Sequence, residues 1–208
     1  MNVSTTARTN ATDDDSTGGS THSQAFLQQR VALFALAGFL LGLTFLAFRV
    51  GSSLAAGRLS LIHPSMITHG IGMATYLMVW LIARRGQHSA RAIRGLENAA
   101  ILLTAVFYTA MAAMLPVGFR PDFVMLLCLN LIVMTRSILV PSTTRRTTIV
   151  VAVVGAILVV GAYQAFAGAD LSMFPAMLHR ELSPVTAAIR SAAWWLLTSG
   201  LAVTTSHV

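Results

Sequence analysis

The chain has 208 residues, of which 55% are hydrophobic and only 10% charged, with a formal net charge of +7. Soluble domains carry about 25% charged residues, so an apolar excess this large excludes an ordinary water-soluble domain and makes lipid the expected solvent. All fourteen basic residues are arginine, and they sit between apolar runs instead of forming one basic stripe. The charge therefore reads as membrane topology, and nucleic acid is not an expected partner.

The first 28 residues are rich in Ser, Thr, Asn, Asp and Gly, with Asp13, Asp14 and Asp15 in a row. Such a segment buries too little apolar area to offset its ordering entropy, so residues 1–28 are expected to form an unstructured cytoplasmic tail. They lack the basic start and apolar core of a signal peptide. The triplets at Asn2 and Asn10 match the glycosylation acceptor pattern, but only a lumenal tail would make them relevant.

A spanning helix needs about 20 mostly apolar residues. Six stretches within residues 29–208 meet or approach that length: about 31–50, 66–83, 98–115, 123–140, 147–166 and 186–203. They are continuously apolar, without the alternation of a barrel strand. The expected fold is therefore all-α, a polytopic six-helix transmembrane bundle. Eight arginines (Arg8, Arg30, Arg84, Arg85, Arg91, Arg94, Arg145 and Arg146) fall on the side of the N-terminal tail. Five (Arg49, Arg58, Arg120, Arg180 and Arg190) fall opposite. The positive-inside rule then places both termini in the cytoplasm and the chain in a bacterial inner membrane. The connection from Gly168 to Val185 puts Leu171, Phe174, Met177, Leu178 and Leu182 on one helical face, as in a short interfacial helix.

Polar groups at membrane depth are costly and are functional candidates by default. Arg136, near the cytoplasmic end of the fourth stretch, is expected to snorkel to the interface or to form an intramembrane ion pair with Glu97. Asn130 is expected to bond a neighbouring helix. On the outer side, Arg49, His63, His69 and Arg190 form a candidate cluster for an anionic small molecule or a lipid headgroup, provided the first, second and sixth helices pack together. His63 and His69 are six residues apart, which does not bring two imidazoles to one metal as an i, i+4 spacing does. Cys128 is a single cysteine in an apolar run and reads as a small buried hydrophobe. No metal, cofactor or catalytic constellation is expected. Gly70-Ile71-Gly72 lies inside a spanning stretch and lacks the third glycine of a nucleotide loop. Gly38 and Gly42 make a small-xxx-small face that serves packing within the bundle or a homodimer.

Several features together carry a resemblance. They are the acidic Ser/Thr-rich tail, the six helices, Ile62-His63-Pro64 opening the second helix, the Arg-rich inner loops, and the end at Thr204-Thr205-Ser206-His207-Val208. Over residues 30–208 the chain resembles the N-terminal membrane region of myxobacterial-type receptor serine/threonine protein kinases; similar regions precede nucleotide cyclases. The resemblance implies a sensory or anchoring input region whose longer parent would be a protein kinase. The kinase motifs themselves (glycine-rich loop, strand lysine, H-R-D and D-F-G) do not occur in these 208 residues, so this stretch is not expected to be an enzyme. The chain end directly after the sixth stretch fits a fragment better than a finished protein. The competing expectation is a stand-alone small membrane protein that binds or transports a lipid or small molecule. A membrane enzyme acting on lipids would need a clustered His/Asp/Glu set at one interface, which no spacing here supports.

Overall fold

The computed structural model describes residues 14–55, 57, 63–170, 172 and 174–205. The acceptor triplets at Asn2 and Asn10, and Arg8, Arg58, Ile62 and the terminal Ser206, His207 and Val208, lie outside them. Among the described residues there are helices and turns and no strand. Six long helices run up and down: α1 (Asp14–Ala55), α2 (Pro64–Arg84), α3 (Ala90–Ala113), α4 (Pro121–Leu139), α5 (Thr144–Ala167) and α7 (Pro184–Thr205). A short α6 (Ala176–His179) lies between the last two. The alternation places Arg84, Arg85, Arg91, Arg145 and Arg146 at one end, called here the arginine-rich end.

The helix starts follow from local chemistry. Pro64 opens α2, where its missing N–H costs nothing, and His63 caps it through Nδ1, which accepts from Ser65 N at 3.3 Å. Ser89 Oγ accepts from Ala92 N at 3.2 Å and caps α3, while Thr143 Oγ1 accepts from Arg146 N and caps α5. The start of α3 precedes the apolar run by eight residues (Ala90 against Asn98). Its first two turns are amphipathic, with Ile93 and Glu97 buried and Arg91 and Arg94 exposed.

The tail expected over residues 1–28 is corrected from Asp14 onward, where α1 is already helical. Tertiary contacts supply what the polar composition lacks. Leu27 is 7% exposed and joins the core. Gln28 Nε2 donates to Ala83 O and Gly86 O, both at 2.8 Å, and Gln28 Oε1 accepts from His88 N at 3.3 Å. One glutamine thus satisfies carbonyls that the C-terminus of α2 leaves without helical partners.

The core runs through the bundle in one cluster, with Phe34 of α1, Tyr76 of α2, Ala105 of α3, Leu129 of α4, Leu158 of α5 and Trp195 of α7 among its members. Phe34 and Tyr76 meet edge to face, centroids 5.6 Å apart. α1 packs on α2, α2 on α3, α3 on α5, and α7 on α5 and α4. The connection after α5 is helical only over Ala176–His179, so the expected interfacial helix shrinks to one turn. Phe174, Leu178 and Leu182 turn down onto Phe166, Ala187 and Val117 in a second small cluster; Leu171 and the Met177 side chain lie outside the described residues.

Five helices are long and apolar enough to cross a membrane: α1 from Ser23, α2, α3, α4 and α5. α7 is 22 residues long, but Arg190, two serines and several threonines dilute its apolar character.

Candidate functional site

The polar side chains inside the bundle collect in three places. At the arginine-rich end, Glu97 of α3 is fully buried and Arg136 of α4 is 1% exposed. Arg136 Nε donates to Glu97 Oε1 at 2.7 Å. The other two guanidinium nitrogens donate to Thr147 Oγ1 and Ser142 Oγ, each at 3.1 Å. Arg146 of α5 reaches the second carboxylate oxygen at 2.6 Å and also donates to Asn98 Oδ1 and Arg94 O. A buried arginine is costly unless it is paired and hydrogen-bonded. Glu97 thus clamps α3, α4 and α5, and each of the three guanidinium nitrogens of Arg136 has a protein acceptor.

The opposite end repeats the arrangement with a different acid. Asp122, 1% exposed at the start of α4, accepts from Arg190 Nε at 3.0 Å and from Arg190 Nη2. Arg120 Nε donates to its other oxygen at 3.4 Å. Both guanidinium groups lie over the Phe123 ring, 4.7 Å and 5.4 Å from its centroid. Arg120 takes the left-handed backbone conformation, φ 51°, which turns the chain from the 3₁₀ turn Val117–Phe119 into Pro121. Asp170, beyond α5 at this end, is held below the usual carboxylate range by the Ser172 hydroxyl and amide.

The candidate outer cluster is divided. Arg49 and His63 meet at Ser65 between α1 and α2, His69 sits one turn further along α2 with partners of its own, and Arg190 lies with Asp122 between α4 and α7. The first, second and sixth spanning stretches do not pack side by side, because α7 takes its place against α4 and α5. Arg49 Nη2 donates to Ser65 Oγ at 2.5 Å, and His63 Nδ1 lies 2.6 Å from the same oxygen. No acid pairs with Arg49 among the described residues.

His69 is the third place. It is 3% exposed, stacks on Tyr108 at 5.3 Å between centroids, and donates from Nε2 to Gly42 O at 2.9 Å. Its Nδ1 lies 3.1 Å from Met111 Sδ. The glycines explain how an imidazole and a phenol fit here. A Cβ on Gly42 would lie 2.8 Å from Tyr108 Oη, and one on Gly38 would lie 3.0 Å from the Tyr76 ring. The small-xxx-small face of α1 is therefore used inside the bundle. Elsewhere, Asn130 Oδ1 accepts from Thr198 Oγ1 at 2.6 Å, tying α4 to α7. Trp195 Nε1 donates to Val151 O at 3.1 Å, while its neighbour Trp194 faces outward at 47% exposure.

Sequence reasoning did not single out Asp122 as the partner of Arg190, or Arg146 and Thr147 as partners in the Glu97 cluster. Their separations along the chain, 68 residues for Arg190–Asp122 and 49 for Arg146–Glu97, exceed any local motif. The available signal was arithmetic: few acids and many arginines, so each acid near a helix end has several candidate partners. Two grooves open on the surface, one beside Gln24, Gln28 and Gly86, the other between Leu115–Gly118 and Gln164–Asp170. Neither is lined by the charge clusters. Among the described residues no group of three or more His, Cys, Asp or Glu side chains is arranged to hold a metal.

No family model, no curated protein and no solved structure matches the chain. The geometry itself is that of a helix bundle tied at both ends by carboxylates that each bridge two arginines.

Proposed function

We propose that the chain is a six-span protein of a bacterial inner membrane, with both termini on the arginine-rich, cytoplasmic side. On this reading it serves as the membrane-embedded input or anchoring region of a signalling protein. The carrying observation is the outward belt of apolar side chains. Phe48 (76% exposed), Met78 (62%), Ile138 (69%), Val160 (60%) and Leu196 (73%) face away from the core on five different helices. Water would oppose so much exposed apolar surface; a bilayer welcomes it. α7 takes part through Ile189, Leu196, Leu197 and Leu201, which supports counting it as the sixth span.

The signalling role rests on the resemblance to receptor serine/threonine kinases and on how α7 is held. Its outer end is tied by Arg190 to Asp122, its middle by Thr198 to Asn130, and its far end points to the cytoplasmic side. A ligand that binds one packing of α4 and α7 better than another shifts the populations of the two. The half-buried Arg49 beside Ser65 and His63 suits a phosphate or carboxylate, such as a lipid headgroup. The bilayer is the expected partner, and a homodimer would need a face other than Gly38–Gly42.

Reporter fusions test the topology. Alkaline phosphatase joined after Val208 or at Gly86 is expected to be inactive, and joined at Gly57 or Gly118 active; strong activity after Val208 overturns the six-span reading. The signalling role is tested by placing residues 1–208 ahead of a receptor-kinase catalytic region in place of its own membrane region. Asp122→Asn is expected to change autophosphorylation at equal membrane abundance. An unchanged level favours a stand-alone protein.

A further inference from the structure

The His69 pocket carries an unfilled chemical demand. A carbonyl oxygen can only accept, so the contact with Gly42 O places the ring proton on Nε2. In the neutral imidazole Nδ1 is then a bare acceptor. It faces Met111 Sδ at 3.1 Å, and a thioether has no proton to donate. Two soft electron pairs meet in an apolar interior, on side chains that are 3% and 5% exposed. A second ring proton would fill the gap only by burying an imidazolium with no carboxylate of its own, a costly state. The two buried acids, Glu97 and Asp122, are each already held by two arginines.

We infer that His69 Nδ1 and Met111 Sδ form a site for a soft monovalent metal ion, of which the cuprous ion is the natural candidate. Thioether and imidazole donors select copper(I) and disfavour calcium and magnesium, which take oxygen ligands. Bonds on the scale that zinc makes, about 2.0 Å to imidazole nitrogen and about 2.3 Å to cysteine sulfur, would let donors 3.1 Å apart reach one ion. A neutral donor set in a low-dielectric interior suits a single positive charge better than a double one. Met73, one turn along α2 and 6% exposed, packs its side chain against Gly42 and offers a second thioether. The site stands independently of the signalling role.

The test uses the full chain in lipid nanodiscs, titrated anaerobically with copper(I) against a chromogenic competitor, with X-ray absorption to read the donors. The expected result is one equivalent bound through nitrogen and sulfur. Met111→Leu keeps the volume and the fold and is expected to weaken binding by about tenfold or more, with loss of the sulfur signal. His69→Asn is expected to abolish binding. Cys128→Ala is expected to leave binding unchanged, because the assignment puts the ion on His69 and Met111 and not on the buried Cys128 thiol. Absence of binding by the natural chain, Met111→Leu binding like the natural chain, or loss of binding in Cys128→Ala would each overturn the assignment.

Discussion

Glu97 and Arg136 show what a single charged residue costs and contributes inside this bundle. Removing one partner of a buried pair leaves an uncompensated charge, worth about 3–5 kcal/mol of destabilisation. Glu97→Gln, which strands two arginines, is therefore expected to destabilise by that amount, measured by denaturation in nanodiscs. Arg146→Gln is expected to cost only about 1 kcal/mol, because that side chain is 19% exposed and water takes over part of its role. The pairing of Glu97 with Arg136 is legible in the sequence, since both lie near the same membrane surface on adjacent stretches. The rest of the network is not. Ser142 is an ordinary loop residue and Thr147 an ordinary first-turn residue of α5 until the fold turns them toward the guanidinium. The hydrogen bond from Thr198 to Asn130 is weaker by nature: interhelical polar bonds in membranes average about 0.6 kcal/mol. Asn130→Leu is accordingly expected to cost less than about 2 kcal/mol in the same assay.

At the scale of helices, close approach is set by glycines that hydropathy does not single out. A Cβ on Gly155 would lie 2.3 Å from Trp195 Nε1, so α5 and α7 touch where the indole lies across the α5 backbone. Gly155→Ala is expected to destabilise by about 1–3 kcal/mol, since a rigid ring hydrogen-bonded to Val151 O cannot step aside. Gly95, on the exposed face of α3 with nothing within 4 Å of an added Cβ, gives the opposite sign. Gly95→Ala is expected to stabilise by about 0.5–1 kcal/mol through helix propensity alone. The sequence-predicted spans agree with α2, α4, α5 and α7 to within three residues at each end, because apolar runs and flanking prolines mark those ends directly. α1 and α3 extend well beyond their predicted starts: the first two turns of α3 are amphipathic, with Ile93 and Glu97 buried, and before the apolar run of α1, Gln24, Leu27 and Gln28 find partners across the bundle. Polar composition hides such turns from a reading based on continuous hydrophobicity.

For the whole molecule, the arginine distribution and the helix order act separately. The cluster Arg84, Arg85, Arg91 and Arg94 is the densest positive stretch, and in the proposed topology the positive-inside rule makes it the feature that keeps the α2–α3 turn on the cytoplasmic side. Replacing all four by glutamine is expected to give mixed orientations, read as phosphatase activity appearing at Gly86. α1 is 42 residues long. At about 1.5 Å per residue it extends about 63 Å, twice the about 30 Å of hydrocarbon, so about half of it projects from the membrane.

The sequence by itself determined the apolar excess, the helical class, the approximate bounds of most helices and the end at which the arginines collect. These depend on composition and on period, which are local properties. Only the tertiary structure decided which polar groups meet. It placed α7 against α4 and α5, separating Arg190 from Arg49 and giving it Asp122. It also brought Met111 of α3 onto the ring of His69 in α2. Such neighbours are fixed by helix packing at glycine contacts and by mutual neutralisation of buried charge, and both join residues tens of positions apart.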